Sequence, residues 1–290
     1  MSTAIIIVNF HAQQLILNCL ASLDRHVRAA YAVYLTDNSL QPDTADIETR
    51  YPGVRVLRPG NNGGFAAGCN LGISQALADG HDFFLLLNPD TYTDEDFLSV
   101  LLAAFEQAPG YGVLGPKILR AGSSDVWQAG SKMVWWKGGP RHVYDNGFGA
   151  LETVTEVPFV SGCAMLIRRE VIESVGLLDE RYFLYFEDTD YAQAVQRKGF
   201  KVGYVATSVL FHEESSTTGY QSPNFVYYFS RNRIWFMRRW ANRKNYVLFS
   251  LFNLLVKLPG SVIVFALLRG KPNLTVAFMR GVIDGLFKNR

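Results

Sequence analysis

The run Phe83-Phe84-Leu85-Leu86-Leu87 is apolar at every position. A strand with one wet face alternates; one without must be covered on both sides, as in a parallel sheet between two layers of helices. The run stops at Asn88-Pro89-Asp90. Pro89 fixes its own φ and biases Asn88 towards an extended backbone, which delivers Asp90 at the carboxyl end of a core strand. Open α/β sheets bind their ligands at that edge. A carboxylate there suits a hard divalent cation that neutralises a diphosphate, and the same three residues also suit a plain turn.

The other apolar segments fall into step with this strand. Ala4–Val8 predicts a buried first strand ending at Asn9, followed by an amphipathic helix over 13–23. Ala32–Leu35 predicts a second strand ending in Thr36-Asp37-Asn38-Ser39, then a short helix over 43–50 and a third strand over 54–57. Asn61-Asn62-Gly63-Gly64 turns into a helix over 65–78. Beyond the central run come a helix over 94–107, an extended segment over 111–119, a buried strand over 159–167 and a helix starting at 168–170. A helix over 188–198 and strands over 202–210 complete the pattern. Strands alternating with helices at this spacing predict an α/β fold, a doubly wound and mostly parallel sheet. We expect a catalytic domain over 1–220 and a C-terminal helical appendage over 221–290.

Composition narrows the class. With 49% apolar and 19% charged residues over 290 positions, the chain can bury a full core. Cys19, Cys69 and Cys163 are scattered in apolar surroundings, which predicts reduced core thiols. Met1–Val8 has neither the length nor the basic flank of a signal peptide, so the expected location is cytoplasmic. The net charge of +2 conceals an asymmetry. From Arg231 onward lie 12 of the 28 basic residues and one of the 26 acidic ones, so the tail carries +11 and the remainder −9.

Asn9, Asp37-Asn38-Ser39 and Asn88–Asp90 share one edge of the predicted sheet and so define a ligand crevice. Asp37 either accepts from the N3–H of a pyrimidine or caps its own turn. Gly63-Gly64 opens a helix whose first amides can hold an anion, or simply permits the turn. Its GGxxxG spacing after the third strand is not the dinucleotide fingerprint. Over 122–149, Trp127, Trp135 and Trp136 sit among glycines; Trp135 either stacks on a sugar or acceptor or belongs to a packed hairpin. Glu187, Asp188 and Asp190 follow an aromatic patch at a helix start. The dipole favours carboxylates there, and an aromatic wall suits a general base with a tuned pKa. His212 after the last strand is a structural residue or, beside Asp90, a metal ligand.

Taken in order, Ile7-Val8-Asn9, Thr36–Ser39, Asn61-x-Gly-Gly-Phe-Ala-Ala-Gly-x-Asn70, Leu85–Asp90, Phe159-x-Ser-Gly-x-Ala-Met-Leu-Ile-Arg-Arg169, Phe183-x-x-Phe-Glu-Asp-x-Asp190 and His212 resemble a family 2 glycosyltransferase, over residues 4 to about 240. The nearest likeness is to the rhamnosyltransferase-like members. The resemblance implies a GT-A fold and inverting transfer from a nucleotide sugar. It implies donor binding by Val8, Asn9, Asp37, Asn62, Gly64, Asn70 and Asn88, with Asp37 on the base. Asn88–Asp90 stands where the family has its metal-binding Asp-x-Asp, leaving one carboxylate, Asp90, to hold Mg²⁺ or Mn²⁺ with His212. Asp188 would be the catalytic base, assisted by Glu187; Asp190 and Trp135 would hold the acceptor. The implied donor is dTDP-L-rhamnose, with UDP-galactofuranose as another donor on the same fold, and a non-catalytic sugar- or nucleotide-binding scaffold as the reading from a different class.

The tail interleaves arginines with aromatics over 223–243, then carries uncharged stretches over 245–256 and 258–268 split by Lys257 and Pro259-Gly260. Each stretch falls short of the roughly 18–20 residues a bilayer requires. Two helices lying in the membrane interface are expected, their basic residues meeting anionic lipid, which suits a lipid-linked saccharide acceptor and a peripheral place on the inner face of the membrane. An oligomer interface would use the same surface. The acidic body disfavours nucleic acid.

Overall fold

The computed structural model describes residues 2–144, 154–213 and 222–288. Gly147 and Gly149 of the glycine-rich segment and the expected domain boundary at 220 lie outside them.

The central sheet is built from β1 (Thr3–Asn9), β2 (Tyr31–Asp37), β3 (Arg55–Leu57), β4 (Phe83–Leu87), β5 (Thr91–Tyr92), β6 (Tyr111–Arg120), β7 (Val126–Gln128), β10 (Thr155–Glu156), β11 (Ala164–Arg168) and β12 (Lys201–His212). A separate hairpin pairs β8 (Ser131–Val134) with β9 (Gly139–His142). The order along the main path is β10-β12-β6-β11-β4-β1-β2-β3. β4, β1, β2 and β3 are mutually parallel, as are β6 and β12, and β11 runs antiparallel between β4 and β6. β4 has the predicted bounds, and all five of its side chains are buried.

The flanking helices are α1 (Gln13–His26), α2 (Ala45–Arg50), α3 (Gly64–Ala78), α4 (Phe97–Gln107), α5 (Arg169–Val175) and α6 (Glu187–Arg197). Even-numbered residues of β1 and β4 face α3, α5 and α6; odd-numbered ones face α1 and α4. The three cysteines are free and buried in these two layers. α4 starts later than the acidic residues suggest because Asp96 is its cap, accepting from the Ser99 amide at 3.2 Å. α3 approaches β1 closely. A Cβ on Gly72 would fall 2.6 Å from Ile6 Cγ2, and one on Gly68 2.8 Å from Val8 Cγ1.

The segment expected to be one strand over 159–167 is in part a turn. Ala164 N–H donates to Ser161 O at 3.2 Å, so pairing begins only at Ala164. The tryptophan segment forms the β8–β9 hairpin, packed against the C-terminal helices.

α7 (Pro223–Trp240) is capped by Ser222, starts on a proline and lies against the 182–186 loop. The last helix, Pro272–Phe287, packs on α7 through Gly281 and Gly285, where Cβ atoms would lie 2.5 Å from Tyr227 O and 3.0 Å from Arg231 O. Asp284, the acid of the basic tail, accepts from Tyr227 Oη at 2.6 Å.

Between these two helices the expectation of two short ones is corrected. Arg243–Ala266 is one continuous helix of 24 residues, long and apolar enough by length and composition to cross a membrane. Pro259 does not break it. A proline removes the N–H to residue i−4 and crowds that carbonyl, and wider π-type turns over 253–257 and 263–268 flank the short α-helical stretch that contains it. Phe249 and Ser261 are buried against the body, while Val247, Leu248, Leu251, Leu254, Leu255, Val256 and Ile263 are exposed.

Candidate active site

Asn9 and Asp37 are opposite each other at the ends of the parallel pair β1–β2. Asn9 works on its neighbours: its amide donates to Asp37 Oδ1 at 2.9 Å and to Asp43 Oδ1 at 2.6 Å, and its oxygen accepts from Ala12 N–H at 2.9 Å. Asp37 Oδ1 also accepts from Ser39 N–H at 3.0 Å. Asp37 Oδ2 is buried and has no partner. A buried acceptor without a donor costs free energy, so Asp37 presents an oxygen that an N–H of a ligand would satisfy. Val8 forms the floor here, packed on Gly68.

Of the two roles open to the glycine turn, the contacts it makes are those of a turn that permits close packing. Gly64 has φ +87°, and a Cβ there would lie 2.2 Å from Phe183 O. Its N–H donates to Asn62 Oδ1 at 2.9 Å, and Phe65 N–H donates to Phe183 O at 2.7 Å. The first two amides of α3 are thus engaged by the protein. Asn70 is likewise engaged, exchanging hydrogen bonds of 2.9 Å with the Leu178 backbone and donating to Glu180 Oε1. The side chains of Asn62 and Asn70 are therefore bonded to the protein and shape this edge of the sheet. A cavity of about 330 Å³ on the outer side of α3 is lined by Asn38, Asn61, Gly63, Asn70, Leu177 and Glu180.

At the end of β4, Asn88 N–H donates to Cys163 O at 2.9 Å and Asn88 O accepts from Thr91 Oγ1 at 2.7 Å. The Asn88 side-chain amide is half-buried. The next turn brings Asp90 against β12, where Asp90 Oδ1 and His212 Nε2 are 3.1 Å apart and both groups are buried. The Trp127 ring stands edge-on to His212 at 4.7 Å. Burial opposes a charge on His212, but the Cys163 sulfur and the Asp90 carboxylate outweigh it and hold its pKa up to about 11. Burial, in turn, raises the Cys163 pKa.

The bend at Ser161-Gly162 meets Asp188. Gly162 N–H donates to Asp188 Oδ2 at 2.9 Å, and Thr189 donates to Oδ1 from its amide at 2.6 Å and its hydroxyl at 3.1 Å. A Cβ on Gly162 would lie 3.2 Å from Phe65 Cε1 and 3.4 Å from Asp188 Cβ, so the Phe65 ring and Asp188 both approach this glycine. Burial raises the Asp188 pKa, and the Gly162 and Thr189 donors pull it back. Glu187 is buried, its Oε2 has no partner, and burial followed by the Asp188 charge pushes its pKa well up. Of the two neighbouring carboxyls, Glu187 is pushed the more strongly towards its neutral form.

Asp190 lies elsewhere. Its Oδ1 accepts from Tyr182 Oη and Trp240 Nε1, each at 2.7 Å, and its Oδ2 from Arg239 Nη1 at 2.7 Å. With both oxygens occupied it joins α6 to α7, where the sequence had it holding an acceptor. Trp135 stacks on Phe236 with ring centroids 5.8 Å apart, which spends one face on packing; Trp136 is the more exposed ring.

The residue that holds the acid loop was barely signalled by the sequence pattern. Phe183, Tyr185 and Phe186 have φ of 63°, 69° and 75°, a conformation that costs non-glycine residues. Asn232 of α7, fully buried, donates to Tyr182 O at 2.9 Å, Leu184 O at 2.8 Å and Tyr185 O at 2.8 Å. Arg231 adds Nη2 bonds to Arg181 O at 3.1 Å and Tyr182 O at 2.9 Å. The only forewarning was an asparagine among aromatics on a helix.

The doubly wound sheet, its polar carboxyl edge and the two-carboxylate loop define a GT-A nucleotide-sugar transferase. Residues 4–176 match the model of glycosyl transferase family 2, and the chain belongs to that family. It is 29% identical over 222 residues to the N-acetylglucosaminyl-diphospho-decaprenol L-rhamnosyltransferase of Mycobacterium tuberculosis, covering 69% of this chain and 72% of that one. It is 22% identical to the dTDP-rhamnosyl transferase RfbF of Shigella flexneri, covering 87% of this chain and 83% of that one. Among solved structures, GalNAc-T7 with UDP, GalNAc and Mn²⁺ superposes with a TM-score of 0.67 at 16% identity, over 96% of this chain and 55% of the other. The protein is a glycosyltransferase with rhamnosyltransferase relatives.

Proposed function

We propose that this enzyme transfers L-rhamnose from dTDP-L-rhamnose, with inversion, to a hydroxyl of a saccharide carried on a lipid diphosphate, during assembly of a bacterial surface polysaccharide. The observation that carries the chemistry is Asp188, held by three donors at the sheet edge beside the buried Glu187. The rhamnose donor and the lipid diphosphate follow the names of the two relatives.

Asp37 Oδ2 accepts the thymine N3–H, and the Asn88 amide meets the donor at the end of β4. Asp90 and His212 fit a divalent cation only if its arrival displaces the proton that His212 holds against Asp90. One buried carboxylate and one imidazole in contact leave the remaining positions to diphosphate oxygens and water, as Mg²⁺ and Mn²⁺ prefer. Mg²⁺ or Mn²⁺ there would neutralise the charge that builds on the leaving diphosphate. Asp188 takes the proton of the acceptor hydroxyl as its oxygen bonds to the anomeric carbon from the face opposite the diphosphate. The bond to the diphosphate breaks, and the nucleoside diphosphate leaves with the electron pair. The burial that raises the Glu187 pKa works against a second negative charge near the incoming hydroxyl.

Residues 1–220 carry this chemistry, and residues 221–290 dock the enzyme on the cytoplasmic face of the membrane. The exposed apolar row from Val247 to Ile263, with Arg243 and Lys244 before it and Lys271 after it, supports docking on anionic lipid. The test is Asp188→Asn assayed with dTDP-rhamnose and a lipid-linked acceptor. A positioned base contributes on the order of 10²–10⁴-fold, so transfer should fall by at least about 100-fold while dTDP still binds. Unchanged turnover would sink the assignment. A dTDP-blind enzyme that binds UDP and transfers galactofuranose would keep the mechanism and replace the donor. An intact chain that binds nucleotide but transfers nothing would favour the scaffold.

A further inference from the structure

Three positive side chains converge from three elements on the far side of the β8–β9 turn. Arg233 comes from the inner face of α7 and is 6% exposed. Its Nη2 donates to Asn253 Oδ1, its guanidinium carbon lies 5.5 Å from the Phe249 ring centre, and its Nε has no partner. Arg141, on β9, and Lys257, one turn after Asn253 on the long helix, are exposed. Gly138, at φ +90°, lets the hairpin lie directly on this group; a Cβ there would be 3.0 Å from Arg233 Cδ and 2.3 Å from Phe249.

No carboxylate among the described residues pairs with any of the three. On the same helix Arg239 pairs with Asp190 and Asp179, and Arg231 and Arg238 are satisfied by backbone carbonyls. Burial, and then Arg141, pushes Arg233 down to about 10; Lys257, although solvent-accessible, is lowered by partial burial and then by Arg233 and Arg141. A buried guanidinium with an orphaned N–H and like charges around it is costly, and an anion relieves all of these costs together.

We propose that Arg141, Arg233, Asn253 and Lys257 bind the phosphate groups of the lipid-linked acceptor. This rests on the reading that the acceptor is a saccharide on a lipid diphosphate. A diphosphate offers several acceptor oxygens and the charge to match three cations, and guanidinium forks fit phosphate geometry. The helix that supplies Asn253 and Lys257 also carries Leu251, Leu254 and Leu255 on its exposed side, where a hydrocarbon chain would lie. On its other side the cluster abuts the base loop. Gly139, next to Gly138, would with a Cβ touch the Phe186 ring at 3.0 Å, and Phe186 is two residues before Asp188. A phosphate on the cluster thus leaves the attached sugar next to the loop that presents Asp188.

The test titrates farnesyl diphosphate into the full chain with dTDP and Mg²⁺ saturating the donor site. The variants are Arg141→Ala/Lys257→Ala, whose exposed side chains spare the core, and Arg233→Lys. We expect the double variant to bind farnesyl diphosphate at least tenfold more weakly and dTDP as before. Binding of farnesyl diphosphate at wild-type strength would overturn the site. Inorganic diphosphate binding as tightly as farnesyl diphosphate would overturn the lipid part. An equal loss of binding to phosphatidylglycerol vesicles would mark a general anionic-lipid contact and overturn the acceptor assignment. Farnesyl diphosphate bound through these residues by an enzyme that transfers no rhamnose would retain the site and count against the function proposed above.

Discussion

Replacing Asn232 by alanine should disable the enzyme without disturbing its donor site. The side chain bridges three carbonyls of the loop over 182–185. Tyr182 O keeps its bond from Arg231, so the net loss falls on Leu184 O and Tyr185 O. A buried acceptor deprived of its donor costs about 1–3 kcal/mol, so the pair loses roughly 2–6 kcal/mol. Against this the loop stores strain at Phe183, Tyr185 and Phe186, about 1 kcal/mol or more for each positive φ, or roughly 3 kcal/mol in all. The two sums are comparable. The loop should therefore relax out of its observed shape, and the cost should appear mainly as displacement of Asp188. A displacement of 1 Å at a reacting group is worth on the order of 100-fold in rate. We expect kcat to fall about 100-fold, dTDP affinity to stay within twofold, and the melting temperature to drop by a few degrees, at roughly 2 °C per kcal/mol for a chain of this size. Asn232→Asp, which keeps the shape but faces the carbonyls with oxygens, should do no better. Rate measurements beside dTDP calorimetry decide it: a kcat within threefold of wild type in Asn232→Ala refutes the clamp.

Gly64→Ala places a methyl group 2.2 Å from Phe183 O at φ +87°, so both the melting temperature and kcat should fall; an unchanged melting curve would show that the two loops are not locked together. Glu187 holds its proton more tightly folded than unfolded. Its stabilisation is therefore complete below the ordinary glutamate pKa and lost as pH rises towards its raised value. Glu187→Gln should remove that loss from a stability–pH profile, while the acid limb of kcat/KM, set by Asp188, remains; a stability profile that keeps the wild-type slope would contradict the assignment. Asp90→Asn should abolish any Mg²⁺- or Mn²⁺-dependent increase in dTDP-induced thermal stabilisation, and a persisting metal effect would place the ion elsewhere.

The sheet and its ligand edge were legible because they follow from local pattern. A fully apolar run such as 83–87 has no solution but a covered strand, and polar residues at strand ends mark the open edge. Polar side chains at that edge were harder to sort, because residue type does not reveal what a side chain already holds. Asn62, Asn70 and Asp190 have the chemistry of ligand-binding groups, yet their hydrogen bonds close on Leu178, Gly64, Arg239 and Trp240, partners set by tertiary contact. The helix around Pro259 was misread for a related reason. A proline is a local signal to stop, and π-type turns on either side of it allowed the helix to continue.

The loop that presents Asp188 explains why the C-terminal helices cannot be treated as a detachable anchor. The donor edge is made from strand ends and would survive their removal, but the acid loop is strained and is held from α7. On that helix Asn232 faces the loop and Arg233, the next residue, faces the cationic cluster under the hairpin. Adjacent residues on a helix are about 100° apart, so one rigid element fixes both the proposed base and the proposed phosphate anchor. If the long helix meets the membrane, its contacts with the hairpin and α7 place that surface in register with the base. Cutting the chain near 220 should therefore leave dTDP bound and transfer abolished even to a soluble acceptor. A truncated enzyme that still glycosylates such an acceptor would show that α7 serves only to anchor.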